Sequence, residues 1–272
     1  MKDETEVVFE VHNLSKEFKT FDSSGKTEIV KAIKNVSFSV NLGNTLGIVG
    51  ESGSGKSTIG RCVLGLTKIS SGEIILGGKR INYTNKKDIY DFRKKIQIVF
   101  QNPQRSFNPV YNIRTSVGES LNVRKEWSKE KKKNRIEEVL DAVKLQEDLR
   151  SRLPEQLSGG QLQRAAIARA IAPEPNLIFL DEPTSSLDLS VRSEVLKLLS
   201  ELQKNLKITY VFVSHDLEVV RAIADDMIVM FRGEIVEKGS SENVFKNPSN
   251  EYTKKLLEAS EFTWIVEEKK HN

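Results

Sequence analysis

The run Gly50-Glu51-Ser52-Gly53-Ser54-Gly55-Lys56-Ser57-Thr58 has the residue types and spacing of a loop that cradles the phosphates of a nucleoside triphosphate. Its glycines let the backbone curl without side-chain collisions, so that successive N–H groups point inward at phosphate oxygens. Lys56 is positioned by this spacing to reach the β- and γ-phosphates, and the Ser57 hydroxyl to bind Mg²⁺. An apolar run, Leu46-Gly47-Ile48-Val49, precedes the loop and reads as a buried strand; a helix from Ile59 to Leu66 follows and adds its positive N-terminal end. A second group with chemical potential closes another apolar run, Asn176-Leu177-Ile178-Phe179-Leu180-Asp181, as expected of a central parallel strand. Asp181 is a candidate Mg²⁺ ligand, and Glu182 a candidate for polarising an attacking water. Pro183 argues against the chain continuing as a helix.

Leu157-Ser158-Gly159-Gly160-Gln161 supplies a third feature. Ser158 followed three residues later by Gln161 is a capping-box pattern, predicting a helix through Ile171 that stops before Pro173 and Pro175. Its two glycines would leave backbone N–H groups bare, making a second anion site. A phosphate loop and a second phosphate-seeking helix start in one chain resemble the ATP-binding subunits of ABC transporters, whose signature is LSGGQ. The resemblance runs from Val7 to Ala259 and implies an α/β fold: a P-loop NTPase core with a mostly parallel sheet, an antiparallel β-subdomain and an inserted α-helical subdomain. It implies ATP and Mg²⁺ as cofactors, with the signature closing over ATP held by the other subunit's phosphate loop. By the same resemblance Gln101, after Ile96–Phe100, is the Q-loop residue and a further Mg²⁺ contact. His215, after Ile208–Val213, is the switch histidine, and Asp188 in Ser185-Ser186-Leu187-Asp188 is the D-loop aspartate. Where the family more often reads Ser-Ala-Leu-Asp, this chain has Ser186 in place of the alanine. The family stacks adenine on an aromatic ring of its N-terminal β-region; Phe18 matches that position, with Phe21 as the alternative. Asn85-Lys86-Lys87-Asp88 fits the guanine-recognition pattern N-K-x-D, but it precedes Asp181 instead of following it, and reads as a chance match in a polar loop.

Three classes compete for such a chain. ATPases of chromosome maintenance or DNA repair insert long coiled coils or zinc modules between the motifs, and this interval lacks sustained heptads and cysteine pairs. Translation-associated ATPases of the family carry two cassettes in one chain, whereas one phosphate loop and one signature stand here. The transporter reading is left. Gln101-Asn102-Pro103, Ser106-Phe107-Asn108-Pro109, Gly50-Glu51-Ser52-Gly53 and the tail Asn247-Pro248…Tyr252-Thr253 are similar to the peptide- and nickel-uptake group of ABC importers. Glu251 departs from the proline that usually precedes Tyr-Thr, and Cys62 alone cannot hold the iron–sulfur centre of some members. The resemblance implies di- or oligopeptide cargo, with nickel or another metal chelate as the alternative. It implies as partners a second, related ATPase chain (a heterodimer over a homodimer), two integral membrane permease subunits and an extracellular or periplasmic binding protein.

The elements that must position these residues follow from pattern and composition. Strands are expected at Val7–Leu14 and Ala32–Val40 around a polar excursion, Thr20–Glu28, and again at Glu73–Leu76, Met227–Phe231 and Gly233–Val236. Core plus β-subdomain are expected over about 1–100 and 157–240, a helical subdomain with helices Val117–Arg124 and Asn134–Val143 over about 101–156, and a helical tail over about 241–272. Phe107 and Tyr111 after Gln101 are expected as apolar knobs for a membrane partner. Of 272 residues 38% are hydrophobic and 29% charged, enough for an ample core. No run is long enough to cross a bilayer, and no apolar stretch follows Met1-Lys2-Asp3-Glu4, so a soluble subunit is expected, which the resemblance implies is peripheral on the cytoplasmic face of the membrane. A net charge of +4, from 42 basic and 38 acidic residues, does not point to nucleic acid. The basic run Lys129–Lys133 reads as a solvated helix face, and Cys62 as a packing residue.

Overall fold

A computed structural model describes residues 6–21 and 25–259. In chain order its elements are β1 (Val7–Phe21), β2 (Thr27–Asn41), β3 (Thr45–Val49), α1 (Lys56–Val63), β4 (Ser71–Leu76), β5 (Lys79–Arg80), α2 (Lys86–Lys95), β6 (Ile96–Val99), α3 (Pro103–Ser106), α4 (Ile113–Glu119) and α5 (Lys129–Ala142). There follow α6 (Glu147–Arg150), α7 (Gly159–Ile171), β7 (Leu177–Asp181), α8 (Leu189–Leu206), β8 (Thr209–Val213), α9 (Leu217–Ile223), β9 (Asp226–Phe231), β10 (Glu234–Ser240) and α10 (Ser241–Lys246), then a helical stretch over 251–259. The chain divides into two compact units, Met1–Ile81 with Val211–Asn272, and Asn82–Tyr210.

In the first unit an antiparallel sheet has the order β2-β1-β4-β5. The inward residues Phe9, Val11 and Leu14 of β1 meet Ile33, Val36 and Phe38 of β2 and Ile74 of β4 in a closed core. Both hairpin strands run further than the sequence pattern implies. Lys16–Phe21 pairs with Thr27–Ile33 although most of its side chains are exposed, so inter-strand hydrogen bonds carry the hairpin where no apolar face exists. The expected polar excursion is strand at its two ends, Thr20–Phe21 and Thr27–Glu28; residues 22–24 lie outside the described ones. Beside this sheet in sequence, β3 pairs in parallel with β9, and β9 antiparallel with β10. All five residues of β3 are buried, which is why its sequence is a continuous apolar run instead of an alternation. Helix α9 lies close on β3 because position 47 is glycine: a Cβ there would come within 2.3 Å of Val220 Cγ1.

In the second unit β6 and β7 are parallel neighbours, with Ile96 opposite Leu177 and Val99 opposite Leu180. The segment read as a polar loop at Asn85-Lys86-Lys87-Asp88 is the start of a helix. The Asn85 side chain accepts hydrogen bonds from the Lys87 and Asp88 amides, an N-cap, and Phe92 anchors the helix by its one buried face. Helix α4 begins at Ile113 and passes into a 3₁₀ turn, Ser120–Val123, while α5 begins at Lys129 behind the cap Ser128. Two arginines serve the C-terminal end of α7: Arg135 donates to the carbonyls of Ile171 (3.0 Å) and Ala172 (3.1 Å), and Arg124 to that of Pro173 (2.7 Å). Of the basic run, Lys129, Lys131 and Lys133 are exposed on α5 and Lys132 is half-buried. Among the described residues no helix is long and apolar enough to cross a membrane.

Candidate functional site

The phosphate loop belongs wholly to the first unit. Gly50, Gly53 and Gly55 all have positive φ, +144°, +82° and +106°, a course that side chains resist. At two of them there is also no room: a Cβ on Gly50 would lie 2.2 Å from the Met230 carbonyl oxygen, and one on Gly55 2.5 Å from that of Ala32. The loop is thus pressed by its backbone onto β9 and β2, while Gly53 faces open space. Gly55 caps α1 without any side-chain hydrogen bond, which keeps the helix start open to an anion. Lys56 Nζ donates to the carbonyls of Gly50 (2.7 Å) and Glu51 (2.8 Å), spanning the loop it is part of. A cradle of this curvature, with an ammonium across it, fits a triphosphate. Cys62 is buried in α1, and burial pushes its thiol pKa up to about 11, so it is an inert packing residue.

His215 lies in the same unit, exposed, just beyond β8; the Ser214 amide before it donates to Ile48 of β3 at 3.1 Å, and Asp216 after it caps α9. Phe18 is 38% exposed on β1 with Lys16 Nζ 4.6 Å from its ring centroid; Phe21 is 74% exposed.

The carboxylates belong to the second unit. Asp181 ends β7 and is buried, and Glu182 follows with φ +48°. A glutamate in the left-handed region is strained, and such strain persists where surrounding structure demands it. The turn that demands it is fixed by the Ser185 amide and hydroxyl, which donate to the Glu182 carbonyl at 3.3 and 3.1 Å. Gln101, just past β6, donates from Nε2 to Glu182 Oε2 at 2.8 Å. The parallel pairing of β6 and β7 is what brings these two strand exits together. Nothing in the residue types around Glu182 asks for positive φ, so this strain is not legible in the sequence.

The signature forms the expected cap. Ser158 Oγ accepts from the Gln161 amide (3.3 Å) and Gln161 Oε1 from the Ser158 amide (2.9 Å). Ser158 and Gly159 are exposed and Leu157 half-buried. Gly160 has a local reason as well: a Cβ there would stand 2.5 Å from Val191 Cγ1 of α8. Asp188 caps α8, accepting from the Val191 amide (2.9 Å) and the Ser190 hydroxyl (2.8 Å), and those bonds hold its pKa below the usual range. That cap is a duty the sequence reading missed, although Asp before a helix is its ordinary signal.

Of the two aromatics after Gln101, one does not behave as expected. Phe107 is buried: Arg169 of α7 lies over its ring at 4.2 Å and donates to the Ser106 carbonyl and hydroxyl, both at 2.7 Å. The exposed apolar residues are Val110 (73%) and Tyr111 (38%).

A family model described as "ABC transporter" matches residues 33–185. The oligopeptide transport ATP-binding protein OppF of Streptococcus mutans is 43% identical over 95% of this chain and 83% of its own length. The dipeptide transport ATP-binding protein DppF of Haemophilus influenzae is 43% identical over 86% of this chain and 72% of its own. Among solved structures, the dimeric post-hydrolysis state of the ATP-binding cassette MJ0796 bound to ADP and Pi superposes with a TM-score of 0.76, at 32% identity, over 86% of this chain and 98% of that one.

Proposed function

We propose, given that this chain belongs to the ABC transporter family, that it is the ATP-hydrolysing subunit of an importer for di- or oligopeptides. The hydrolytic part rests on one observation above the others, the Gln101–Glu182 hydrogen bond of 2.8 Å on a strained glutamate backbone. The peptide cargo is supported by the names of the relatives at 43% identity.

In this reading Gly50 to Thr58 hold the triphosphate through backbone N–H groups, and Lys56 neutralises charge on its outer phosphates. Mg²⁺, when bound, supplies further charge neutralisation there. Ser57, Asp181 and Gln101 would hold it, hard oxygen donors of the kind that cation takes. Glu182 accepts a proton from the attacking water as it orients it, and His215 is a further group directed at the transferred phosphoryl. Phe18 stacks on adenine, with Phe21 as the alternative. Leu157 to Gln161, and Asp188 beside them, serve the nucleotide of a second cassette. That cassette is a related chain, so the pair is a heterodimer, and it works with two membrane permease subunits and a peptide-binding protein. The subunit therefore sits peripherally on the cytoplasmic face.

The test is the complete complex in proteoliposomes. Binding protein loaded with a tetrapeptide should raise ATP hydrolysis and drive uptake of the labelled peptide. Stimulation by a nickel chelate with no response to any peptide would overturn the cargo.

A further inference from the structure

The peptide unit that joins Gly50 to Glu51 is held at both of its polar ends. Its carbonyl oxygen accepts from Lys56 Nζ at 2.7 Å, and its N–H donates to the phenol oxygen of Tyr252 at 3.1 Å. Tyr252 comes from the tail, 201 residues away in sequence, within the same compact unit. Its ring packs on Phe231 with centroids 4.3 Å apart. Phe231 ends β9 immediately after Met230, the residue whose carbonyl backs Gly50.

The tail is itself fastened in place. Glu237 of β10 accepts from the Ser249 amide (2.6 Å), the Ser249 hydroxyl (2.9 Å) and the Asn250 amide (3.2 Å), and Asn250 Oδ1 accepts from the Tyr252 amide at 2.8 Å. A continuous set of contacts thus runs from β10 through the tail to the first peptide of the phosphate loop. Burial raises the Tyr252 phenol above its ordinary range, so it remains a neutral hydroxyl under any physiological condition.

We propose that Tyr252 is a positioning residue for nucleotide binding: it fixes the peptide unit whose other polar end anchors Lys56, and so presets the loop and its ammonium for the triphosphate. The inference rests on the nucleotide-binding reading of that loop. Without the phenol oxygen, the Gly50–Glu51 peptide is tethered at one end only and can rotate. Ordering it then falls to the ligand, which weakens affinity without touching the chemical step.

The test uses the full chain with Tyr252→Phe, which keeps the ring on Phe231 and removes the oxygen alone, and Lys56→Ala as the reference. Affinity is read with a fluorescent ATP analogue, folding with a thermal melt lacking nucleotide, and turnover with the assembled complex. Tyr252→Phe should weaken binding about 3- to 10-fold, the range for one neutral hydrogen bond. It should raise KM for ATP by the same factor at unchanged kcat, and lower the melting temperature by no more than about 2–4 °C. Unchanged affinity in Tyr252→Phe, with or without a lower melting temperature, while Lys56→Ala loses binding would overturn the inference and leave the loop's role standing. Wild-type affinity in Lys56→Ala would instead remove the reading of the loop on which the inference depends.

Discussion

Replacing Gly160 by Ala puts a methyl carbon 2.5 Å from Val191 Cγ1. Carbon atoms pack at about 3.5–4.0 Å, so the start of α7 and the start of α8 must part by roughly 1 Å or Val191 must leave its rotamer. Overpacking of this kind costs about 1–3 kcal/mol, against which alanine recovers at most about 1 kcal/mol of helix propensity over glycine. With that recovery in full, Gly160→Ala loses between nothing and about 2 kcal/mol. Val191 is only half-buried, so Val191→Ala alone should cost about 1 kcal/mol or less. The double variant removes the colliding methyl and should be more stable than the sum of the singles by at least about 1 kcal/mol. Urea unfolding of the full chain without nucleotide, followed by circular dichroism, measures all four corners of the cycle. A second readout separates packing from signature chemistry: Gly160→Ala should leave ATP binding by the lone chain near normal while lowering hydrolysis by the assembled pair. Strict additivity of the two substitutions would refute the steric reasoning.

Other outcomes follow from particular contacts. Phe107→Ala should destabilise the chain, because it empties the buried site beneath Arg169, by about 3–5 kcal/mol in thermal or urea unfolding; Tyr111→Ala should leave stability alone and weaken co-purification with the membrane subunits. Glu137 is held below its ordinary pKa of 4.5 chiefly by the Arg114 hydrogen bond (2.6 Å), with Arg150 (3.1 Å) adding to it against the opposing cost of burial. A depressed carboxyl pKa contributes stability that is present in full above the unfolded value and lost as pH falls through the folded one. The stability gap between wild type and Glu137→Gln should therefore be constant from pH 7 to about 5 and close as the pH drops toward 3, measured by urea midpoints.

The features legible in the sequence share a cause. The loop at Gly50–Thr58, the fully buried strands Thr45–Val49 and Leu177–Asp181, and the Ser158–Gln161 cap are all local, so residue type and spacing determine them. The misses are of another kind. Phe107 looks like an exposed knob until Arg169, 63 residues on from Ser106, folds over it. Tyr252 looks like one residue of a tail motif until its oxygen meets the Glu51 amide. The hairpin beyond Leu14 has no apolar alternation, because hydrogen bonds and not burial hold it. The helix from Lys86 was missed for a simpler reason: Asn85 and Asp88 do signal a capped start, but lysine-rich polarity was read as loop.

The most direct test of hydrolysis at this site is single-turnover chemistry in the assembled complex carrying Glu182→Gln. The amide keeps the shape and the contact with Gln101 but can no longer take a proton, so ATP should bind with wild-type affinity, hold the two cassettes together, and be cleaved at least 100-fold more slowly, the scale of general-base catalysis. Cleavage at the wild-type rate, with ATP bound and the complex intact, would contradict the assignment of Glu182 as the residue that activates water.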